Sequence, residues 1–197
     1  MNGLLIAFEG LDQSGKQTQA ERVRDEAAVR GRQCRLLSFP DYTTAIGTEI
    51  GRALQGEREY GPDVMQLLYV ANRHEQRAGM ARLLDEGWVL VCDRYVASSI
   101  AYGEAQGLDA AWLAEIQRFL PSPDLTILLD IAPETAVHRK ASGRDRYERD
   151  LDLLSRVRES YRRQASSPGW VTLDGDRPRD IVSADVVRAL SSRLAPR

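Results

Sequence analysis

The sequence is poor in cysteine, carries no excess of basic residues and contains no long hydrophobic run. Its two cysteines, Cys34 and Cys92, lie inside short apolar stretches, which favours small core side chains over a disulfide or a metal pair. A net charge of −2 argues against a general nucleic-acid-binding protein, which needs basic residues to neutralise phosphates. No apolar run approaches a membrane span, and no cationic segment precedes an apolar one at the N-terminus. We therefore expect a cytoplasmic protein that binds neither nucleic acid nor membranes.

The length and composition are those of one globular domain. The chain has 197 residues, of which 43% are hydrophobic and 28% are charged. A chain of this size can bury a sizeable core, so we predict a single domain over residues 1–197.

Five short apolar stretches predict β-strands, and helical patterns separate them. Alternation of strands and helices favours an α/β fold with a parallel sheet and helices on both faces. In such a sheet, ligands bind beyond the carboxyl ends of the strands, so the polar residues that follow each strand are the candidate site residues. The predicted strands are Leu4 to Phe8, Cys34 to Phe39, Trp88 to Cys92, Leu125 to Ile131 and Trp170 to Leu173.

The first predicted strand leads into a glycine-framed loop that ends in a lysine. Gly10 is followed by four residues, then Gly15 and Lys16, and a helical pattern begins at once. This arrangement is typical of a phosphate-binding loop, in which backbone N–H groups and the helix N-terminus hold an anion and the lysine adds a full charge. A tight turn without a ligand is the simpler alternative. The predicted nucleotide-binding residues are Gly10, Leu11, Asp12, Gln13, Ser14, Gly15, Lys16, Gln17 and Thr18.

The loop departs from the usual pattern at one position. After the lysine a Ser or Thr hydroxyl normally holds Mg²⁺, but here Gln17 occupies that place and Thr18 follows. A glutamine amide oxygen can bind a metal ion, but the longer side chain changes the geometry of the site. We therefore name Gln17, together with Asp93 after the third strand, as the candidate metal ligands.

Three further segments place polar side chains near the expected site. Tyr42 follows the second strand and is expected on the ligand side of the sheet; the alternative is a surface turn with no role in binding. On a long predicted helix over residues 64–86, Tyr69 and Arg73 share one face and could stack on and bind a base. From these residues alone, a half-buried tyrosine beside a solvated arginine is the favoured interpretation. Arg94 follows the third strand and could hold a phosphate, or form an ion pair with Asp93.

Beyond Arg94 we predict several helices, including one with Pro133 in its first turn that reaches Arg139, and one polar segment. Helices are expected over residues 108–120, 151–164 and 181–194, and a short one after Arg94 carries Ser98, Ser99 and Tyr102. The segment at about 142–149 contains Arg144 and Arg146 and lacks apolar periodicity. It is either a mobile lid that closes over phosphates or a solvated charged surface.

Taken together, these motifs resemble those of the thymidylate kinase family of P-loop nucleoside monophosphate kinases. The resemblance runs in order over nearly the whole chain. It is carried by Phe8 to Gln19, Phe39-Pro40, Ala71-Asn72-Arg73, Asp93-Arg94-Tyr95 with Ser98 to Tyr102, and Arg144 to Glu148. It implies a P-loop NTPase-type sheet of five parallel strands with a mobile lid, a homodimer, and ATP- and Mg²⁺-dependent phosphorylation of dTMP to dTDP.

The resemblance also implies a role for each site residue. The catalytic residues would be Lys16, Asp12, Arg94, Arg144 and Arg146. Because Gln13 stands where some relatives have an arginine, the catalytic arginines would be those of the lid, Arg144 and Arg146. Asp12 would contact the 3′-hydroxyl of the deoxyribose or the metal-bound phosphates, and Arg94 the phosphate of dTMP. Tyr69 would stack on thymine, Arg73 would donate to its O4, and Ser99 would face its edge. Tyr102 would close that pocket, Tyr147 would lie against the sugar, and Arg139 would lie near adenine. Tyr42 stands where many relatives have an arginine.

Two alternatives stay open from the sequence. The first is a kinase for another acceptor, such as dUMP or a deoxynucleoside. The second is a non-catalytic nucleotide-binding protein, which Gln17 would suggest.

Overall fold

A computed structural model of the chain describes residues 3–139 and 150–194. Its centre is one sheet of five parallel strands in the order β2-β3-β1-β4-β5. The strands are β1 (Leu4–Glu9), β2 (Cys34–Ser38), β3 (Val89–Asp93), β4 (Leu125–Asp130) and β5 (Trp170–Asp174). Leu4 pairs with Val89 and Ile6 with Leu125, so β1 lies between β3 and β4. The predicted fold class and all five predicted strands are confirmed.

Helices cover both faces of this sheet. They are α1 (Lys16–Val29), α2 (Ala45–Gln55), α3 (Pro62–Asp85), α4 (Val96–Ala105), α5 (Ala110–Glu115), α6 (Pro133–Arg139), α7 (Leu151–Gln164) and α8 (Arg179–Leu190). Alternate β1 residues serve opposite faces: Ile6 and Phe8 pack with α1 and α8, whereas Leu5 and Ala7 pack with the end of α3. The sheet is therefore a two-sided core whose polar strand ends remain at one edge.

Helix α2 is the element that the sequence did not predict. Its start and stop signals are present: the Thr44 hydroxyl accepts a hydrogen bond from the Gly47 amide at 3.0 Å, and Gly56 closes the helix with φ 87°. Gly47 lowers helix propensity, yet a Cβ there would lie 1.8 Å from the Asp41 carbonyl oxygen. Close packing of the preceding turn, which local sequence does not reveal, explains this glycine.

Two predicted helices have different limits. The helix predicted over residues 108–120 spans only Ala110–Glu115. Turns follow it, in which the backbone amide of Gln117 donates to the carbonyl of Ala114 and that of Arg118 to Glu115. The last helix spans Arg179–Leu190 instead of 181–194, with turns at 191–194.

Several other features bear on the earlier expectations. Cys92 is buried, Cys34 is partly buried, and both are free thiols. Among the described residues no helix is long and apolar enough to cross a membrane. The single domain, the cytoplasmic location and the lid at about 142–149 stay predictions, and the lid lies outside the described residues.

Candidate active site

The glycine-framed loop between β1 and α1 has the backbone conformation that its sequence predicts. Gly10 and Gly15 have φ values of 138° and 95°, and Gln13 also lies in the left-handed region at 62°. A Cβ on Gly10 would lie 2.5 Å from the Leu129 carbonyl oxygen, so no other residue fits there. The loop therefore curls tightly at the carboxyl end of the central strand.

Lys16 is buried in this loop without a carboxylate partner among the described residues. Its Nζ donates a hydrogen bond to the Leu11 carbonyl at 2.8 Å, and only 6% of the residue is exposed. Burial, followed by the nearby charge of Arg94, lowers the pKa of Lys16. A buried cation with one carbonyl partner gains most from an incoming anion, as expected for a phosphate-binding lysine.

Gln17 has a local partner on its own helix. Its Nε2 donates to the Glu21 carboxylate at 3.1 Å, although the side chain still borders the cavity above the loop. Asp93, at the end of β3, has a buried Oδ1 without a hydrogen-bond partner in the part of the chain that the structure describes. An orphaned carboxylate oxygen beside a phosphate loop fits a hydrated Mg²⁺ ion. No cluster of three acidic, cysteine or histidine side chains placed to hold a metal occurs within residues 3–139 and 150–194.

Arg94 is the most highly connected side chain of the site. One guanidinium nitrogen, Nη2, donates to Asp12 Oδ1 at 2.7 Å and to the Tyr102 hydroxyl at 3.3 Å. Burial alone would lower the pKa of Arg94, but the charge of Asp12 raises it well above its usual value. The ion pair considered between Asp93 and Arg94 is absent from the described ion pairs, because Arg94 takes Asp12 as its carboxylate partner.

The other terminal nitrogen of Arg94 is held by fixed acceptors. Nη1 donates to the Gly10 carbonyl at 3.1 Å and to the hydroxyls of Ser98 and Tyr161, each at 3.2 Å. Both hydroxyls also contact the fully buried carboxylate of Glu9, at 2.6 Å for Ser98 and 3.1 Å for Tyr161. Arg94 is thus held between Asp12 on one side and a buried network on the other.

Two cavities open at this edge of the sheet. The first, here the loop cavity, has a volume of about 610 Å³ and is bordered by residues 12–19, Asp93, Arg94, Arg139 and Gly175. That volume is within the range typical of small-molecule sites. Arg139 donates to the carbonyls of Gln13 and Gly175, both at 3.1 Å, which joins α6 to the phosphate loop.

The second cavity, here the helix cavity, lies between α3 and α4. Its lining includes Gln66, Tyr69 and Arg73 from α3, and Ser98, Ser99 and Tyr102 from α4. Asp12, Phe39, Pro40, Tyr42 and Arg94 line both cavities. The two spaces therefore meet at the Asp12–Arg94 pair.

Arg73 enters the helix cavity as a buried cation, and the favoured sequence interpretation of a solvated arginine is wrong. Only 3% of Arg73 is exposed, and its Nη1 donates to Ser99 Oγ at 2.7 Å and to Gln117 Oε1 at 3.0 Å. Burial lowers the pKa of this guanidinium. Two buried atoms, Arg73 Nε and Gln66 Oε1, have no hydrogen-bond partner in the described ranges. One donor and one acceptor are thus unsatisfied on residues that line the helix cavity.

The turn that carries Tyr42 is anchored to α3 by one buried amide. Asn72 accepts from the Asp41 backbone amide at 2.7 Å, and its Nδ2 donates to Thr44 Oγ1 at 2.9 Å. Phe39-Pro40, just before this turn, is a cis peptide. Tyr42 is 53% exposed at the mouth of the two cavities.

The structure brings together the predicted site residues that it describes, from Gly10 to Thr18, Tyr42, Tyr69, Arg73, Asp93, Arg94, Ser98, Ser99, Tyr102 and Arg139. Arg144, Arg146 and Tyr147 lie outside the described residues. The sequence analysis missed Glu9, Gln66, Gln117 and Tyr161. A glutamate inside an apolar strand was a usable signal for Glu9, whereas the partners of the other three are distant in sequence.

Comparisons with known proteins agree with this geometry. The model of the family described as Thymidylate kinase matches residues 8–186. The chain belongs to the thymidylate kinase family. It is 34% identical to the thymidylate kinase of Schizosaccharomyces pombe over 96% of this chain and 92% of that protein. The thymidylate kinase of Dictyostelium discoideum is also 34% identical, over 98% and 86% of the two chains.

A solved structure extends the likeness to three dimensions. The thymidylate kinase of Candida albicans superposes with a TM-score of 0.83 and 29% identity, covering 98% of this chain and 92% of that one. Membership of the thymidylate kinase family means that the chain phosphorylates dTMP to dTDP with ATP as the phosphoryl donor. The alternative of a non-catalytic nucleotide-binding protein is therefore set aside.

Proposed function

We propose that ATP binds in the loop cavity, dTMP binds in the helix cavity, and the γ-phosphoryl group passes between them beside Asp12 and Arg94. The observation that carries this arrangement is that Asp12 and Arg94 line both cavities. Phosphoryl transfer requires positioning and charge neutralisation more than covalent chemistry. The loop with Lys16, and Arg94 at the junction, supply both.

In this arrangement Lys16, Arg139 and Arg94 have distinct tasks. Lys16 neutralises the β- and γ-phosphates of ATP, and Arg139, bonded to the Gly175 carbonyl, borders the adenine. Arg94 binds the phosphate of dTMP through its Nη2 edge, which already faces the helix cavity through Asp12 and Tyr102. Arg144 and Arg146 would add charge at the transferring group, and Tyr147 would lie against the sugar.

The thymine ring would lie against Tyr69 with its polar edge toward the unsatisfied atoms of α3. Arg73 would donate to O4, and Gln66 Oε1 would accept from N3–H, since that group is the only donor on the base of dTMP. A cytosine edge presents the opposite polarity and would leave Gln66 Oε1 and the base-facing donor of Arg73 unpaired, which costs about 1–3 kcal/mol for each buried group. Ser99, which accepts from Arg73, fixes the direction of that guanidinium.

Mg²⁺ would be held mainly by phosphate oxygens and water, with Asp93 and Asp12 supporting it from the protein. The unpartnered Oδ1 of Asp93 suits this role, and Gln17 Oε1 is a further candidate because the hydrogen bond to Glu21 uses only its Nε2. When bound, the ion would neutralise charge on the phosphates of ATP.

A homodimer, as the resemblance implies, would form through the outer surface of α3. Val64 and Leu67 lie one turn apart on this helix and are 38% and 46% exposed. Light scattering would show a dimer for the native chain and a monomer for Leu67→Glu, whereas the same mass for both variants would place the interface elsewhere.

The deciding experiment is an ADP-release assay with dTMP, dUMP, dCMP and the ribonucleotide of thymine as acceptors. We expect dTMP to be preferred and dCMP to be rejected. Arg73→Ala and Gln66→Leu should raise KM for dTMP more than KM for ATP. Equal changes in both KM values would show that the base binds elsewhere.

A further inference from the structure

We infer that Tyr161, together with the buried Glu9, is a positioning residue that fixes Arg94 for the acceptor phosphate. The inference rests on the proposed binding of that phosphate by Arg94. Tyr161 lies on α7, far along the chain from the phosphate loop, and is 1% exposed. It lines neither the loop cavity nor the helix cavity, so it can act on substrate only through other side chains.

The hydrogen bonds around Glu9 define where the hydroxyl protons point. Its carboxylate accepts from the backbone amide of Tyr95 at 2.8 Å, from Ser98 Oγ at 2.6 Å and from Tyr161 Oη at 3.1 Å. A carboxylate only accepts, so a hydroxyl that bonds to Glu9 donates its one proton there. Ser98 Oγ and Tyr161 Oη also lie 2.8 Å apart, and either of them can donate to the other. In each case the single proton of each hydroxyl is used within this cluster. Their lone pairs are then directed to Arg94 Nη1, which lies 3.2 Å from each oxygen.

In this arrangement two hydroxyls connect the Glu9 carboxylate to the Arg94 guanidinium. Burial, and then the charge of Glu9, raise the pKa of Tyr161 well above its usual value, so the phenol keeps its proton. Chains of hydrogen bonds polarise one another in a buried environment, which strengthens each bond to the guanidinium. The Nη1 side of Arg94 is consequently fixed, while the Nη2 side remains directed at Asp12 and the helix cavity.

A fixed guanidinium matters because arginine has a long side chain with several rotatable bonds. Binding a phosphate with a free arginine costs the rotamer entropy of the whole side chain. Arg94 also has φ 63°, so its backbone is held in the left-handed region next to the helix that Glu9 caps through Tyr95 and Ser98. Glu9 therefore orients both the backbone and the side chain of the residue that would hold the acceptor.

The test compares dTMP with thymidine, which lacks the phosphate, by isothermal titration. Tyr161→Phe keeps the buried ring and removes only the hydroxyl. We expect this variant to bind dTMP about fivefold to tenfold more weakly, in line with the loss of one typical hydrogen bond. Its affinity for thymidine and its KM for ATP should not change. Loss of affinity for both ligands alike, or for neither, would overturn the inference.

Two control variants distinguish an error in the role of Tyr161 from an error in the proposed phosphate site. Ser160→Ala removes a neighbouring buried hydroxyl that bonds to Glu104 and does not contact Arg94, and it should leave the ratio of dTMP to thymidine affinity unchanged. Arg94→Ala should abolish the preference for dTMP over thymidine. If Arg94→Ala abolishes it and Tyr161→Phe does not alter it, only the role of Tyr161 is wrong. If Arg94→Ala leaves it intact, the proposed phosphate site is wrong as well.

Discussion

The Asp12 carboxylate and the Arg94 guanidinium lie 2.7 Å apart at the junction of the two cavities. Asp12 therefore occupies the side of Arg94 that an acceptor phosphate would use. A phosphate that binds Arg94 must share or replace this partner, which would release Asp12 toward the phosphates of ATP. In the proposed arrangement the pair would couple binding of the acceptor to the availability of the Asp12 carboxylate near the donor.

Replacement of Asp12 tests this competition. Asp12→Asn removes a negative charge beside the proposed phosphate site. We expect dTMP to bind about threefold to tenfold more tightly without ATP, because solvent and the Arg94 guanidinium screen the repulsion between the two anions to about 1 kcal/mol. Turnover should fall by about 100-fold. Isothermal titration gives the affinity for dTMP, and steady-state kinetics gives kcat. Weaker binding of dTMP would instead favour a direct bond from Asp12 to the 3′-hydroxyl.

Loss of Lys16 should remove activity without loss of the fold. Lys16→Ala is expected to lower kcat by at least about 100-fold, because the loop loses its only buried cation directed at the phosphates. Burial lowers the pKa of this lysine, so folding opposes its charged form and the Tm should stay the same or rise. A folded variant with near-normal turnover would contradict the assignment of the phosphate loop.

Restoring the usual hydroxyl should change the metal requirement. We expect Gln17→Ser to lower severalfold the Mg²⁺ concentration that gives half-maximal activity, since a hydroxyl adds an oxygen ligand at this position. Glu21→Gln, which alters the partner of Gln17 and adds no ligand, is the matched control. Activity of all three proteins should vanish with EDTA and return with Mg²⁺. Full activity without a divalent ion would refute the metal proposal.

The arginines of the segment at 142–149 should increase kcat. Because Gln13 leaves the phosphate loop without an arginine, we expect the Arg144→Ala, Arg146→Ala double variant to lose about 10²- to 10³-fold in kcat, and each single variant less. Arg82→Ala, on an exposed part of α3, controls for general loss of charge. If the double variant loses ATP affinity but keeps its kcat, these arginines only bind ATP.

Asp130 should make stability depend on acid pH. Burial alone would raise the pKa of Asp130, but hydrogen bonds from Arg158 and Arg162 lower it below its unfolded value of about 3.9. Its stabilising effect is therefore present above that value and is lost as pH falls through the folded pKa. Asp130→Asn should cost roughly 1–2 kcal/mol at neutral pH.

Urea unfolding at several pH values measures this contribution. The difference in free energy of unfolding between wild type and Asp130→Asn should be constant above about pH 5 and shrink below about pH 4. Asp180→Asn breaks an ion pair whose carboxylate is 89% exposed, and it should have little effect at any pH. A difference that does not vary with pH would mean that packing, not charge, explains the loss.

The sequence predicted the sheet and the phosphate loop because their signals are local. Apolar runs mark the strands, and glycine spacing marks the loop. The burial of Arg73 could not be predicted, since Ser99 and Gln117 reach it from distant segments. For the same reason the pairing of Arg94 with Asp12, and the convergence of Ser98 and Tyr161 on Glu9, required the folded chain. Helix α2 was missed because close packing on Asp41, not propensity, selects Gly47.

The shared wall between the two cavities also limits how this enzyme could be re-engineered. Any change at Asp12, Tyr42 or Arg94 alters both substrates at once, since each of these residues borders both spaces. Gln66, Tyr69 and Ser99 border only the helix cavity. Directed evolution toward a new acceptor base should therefore accumulate substitutions on the inner faces of α3 and α4, while residues of the wall remain unchanged across successful lineages.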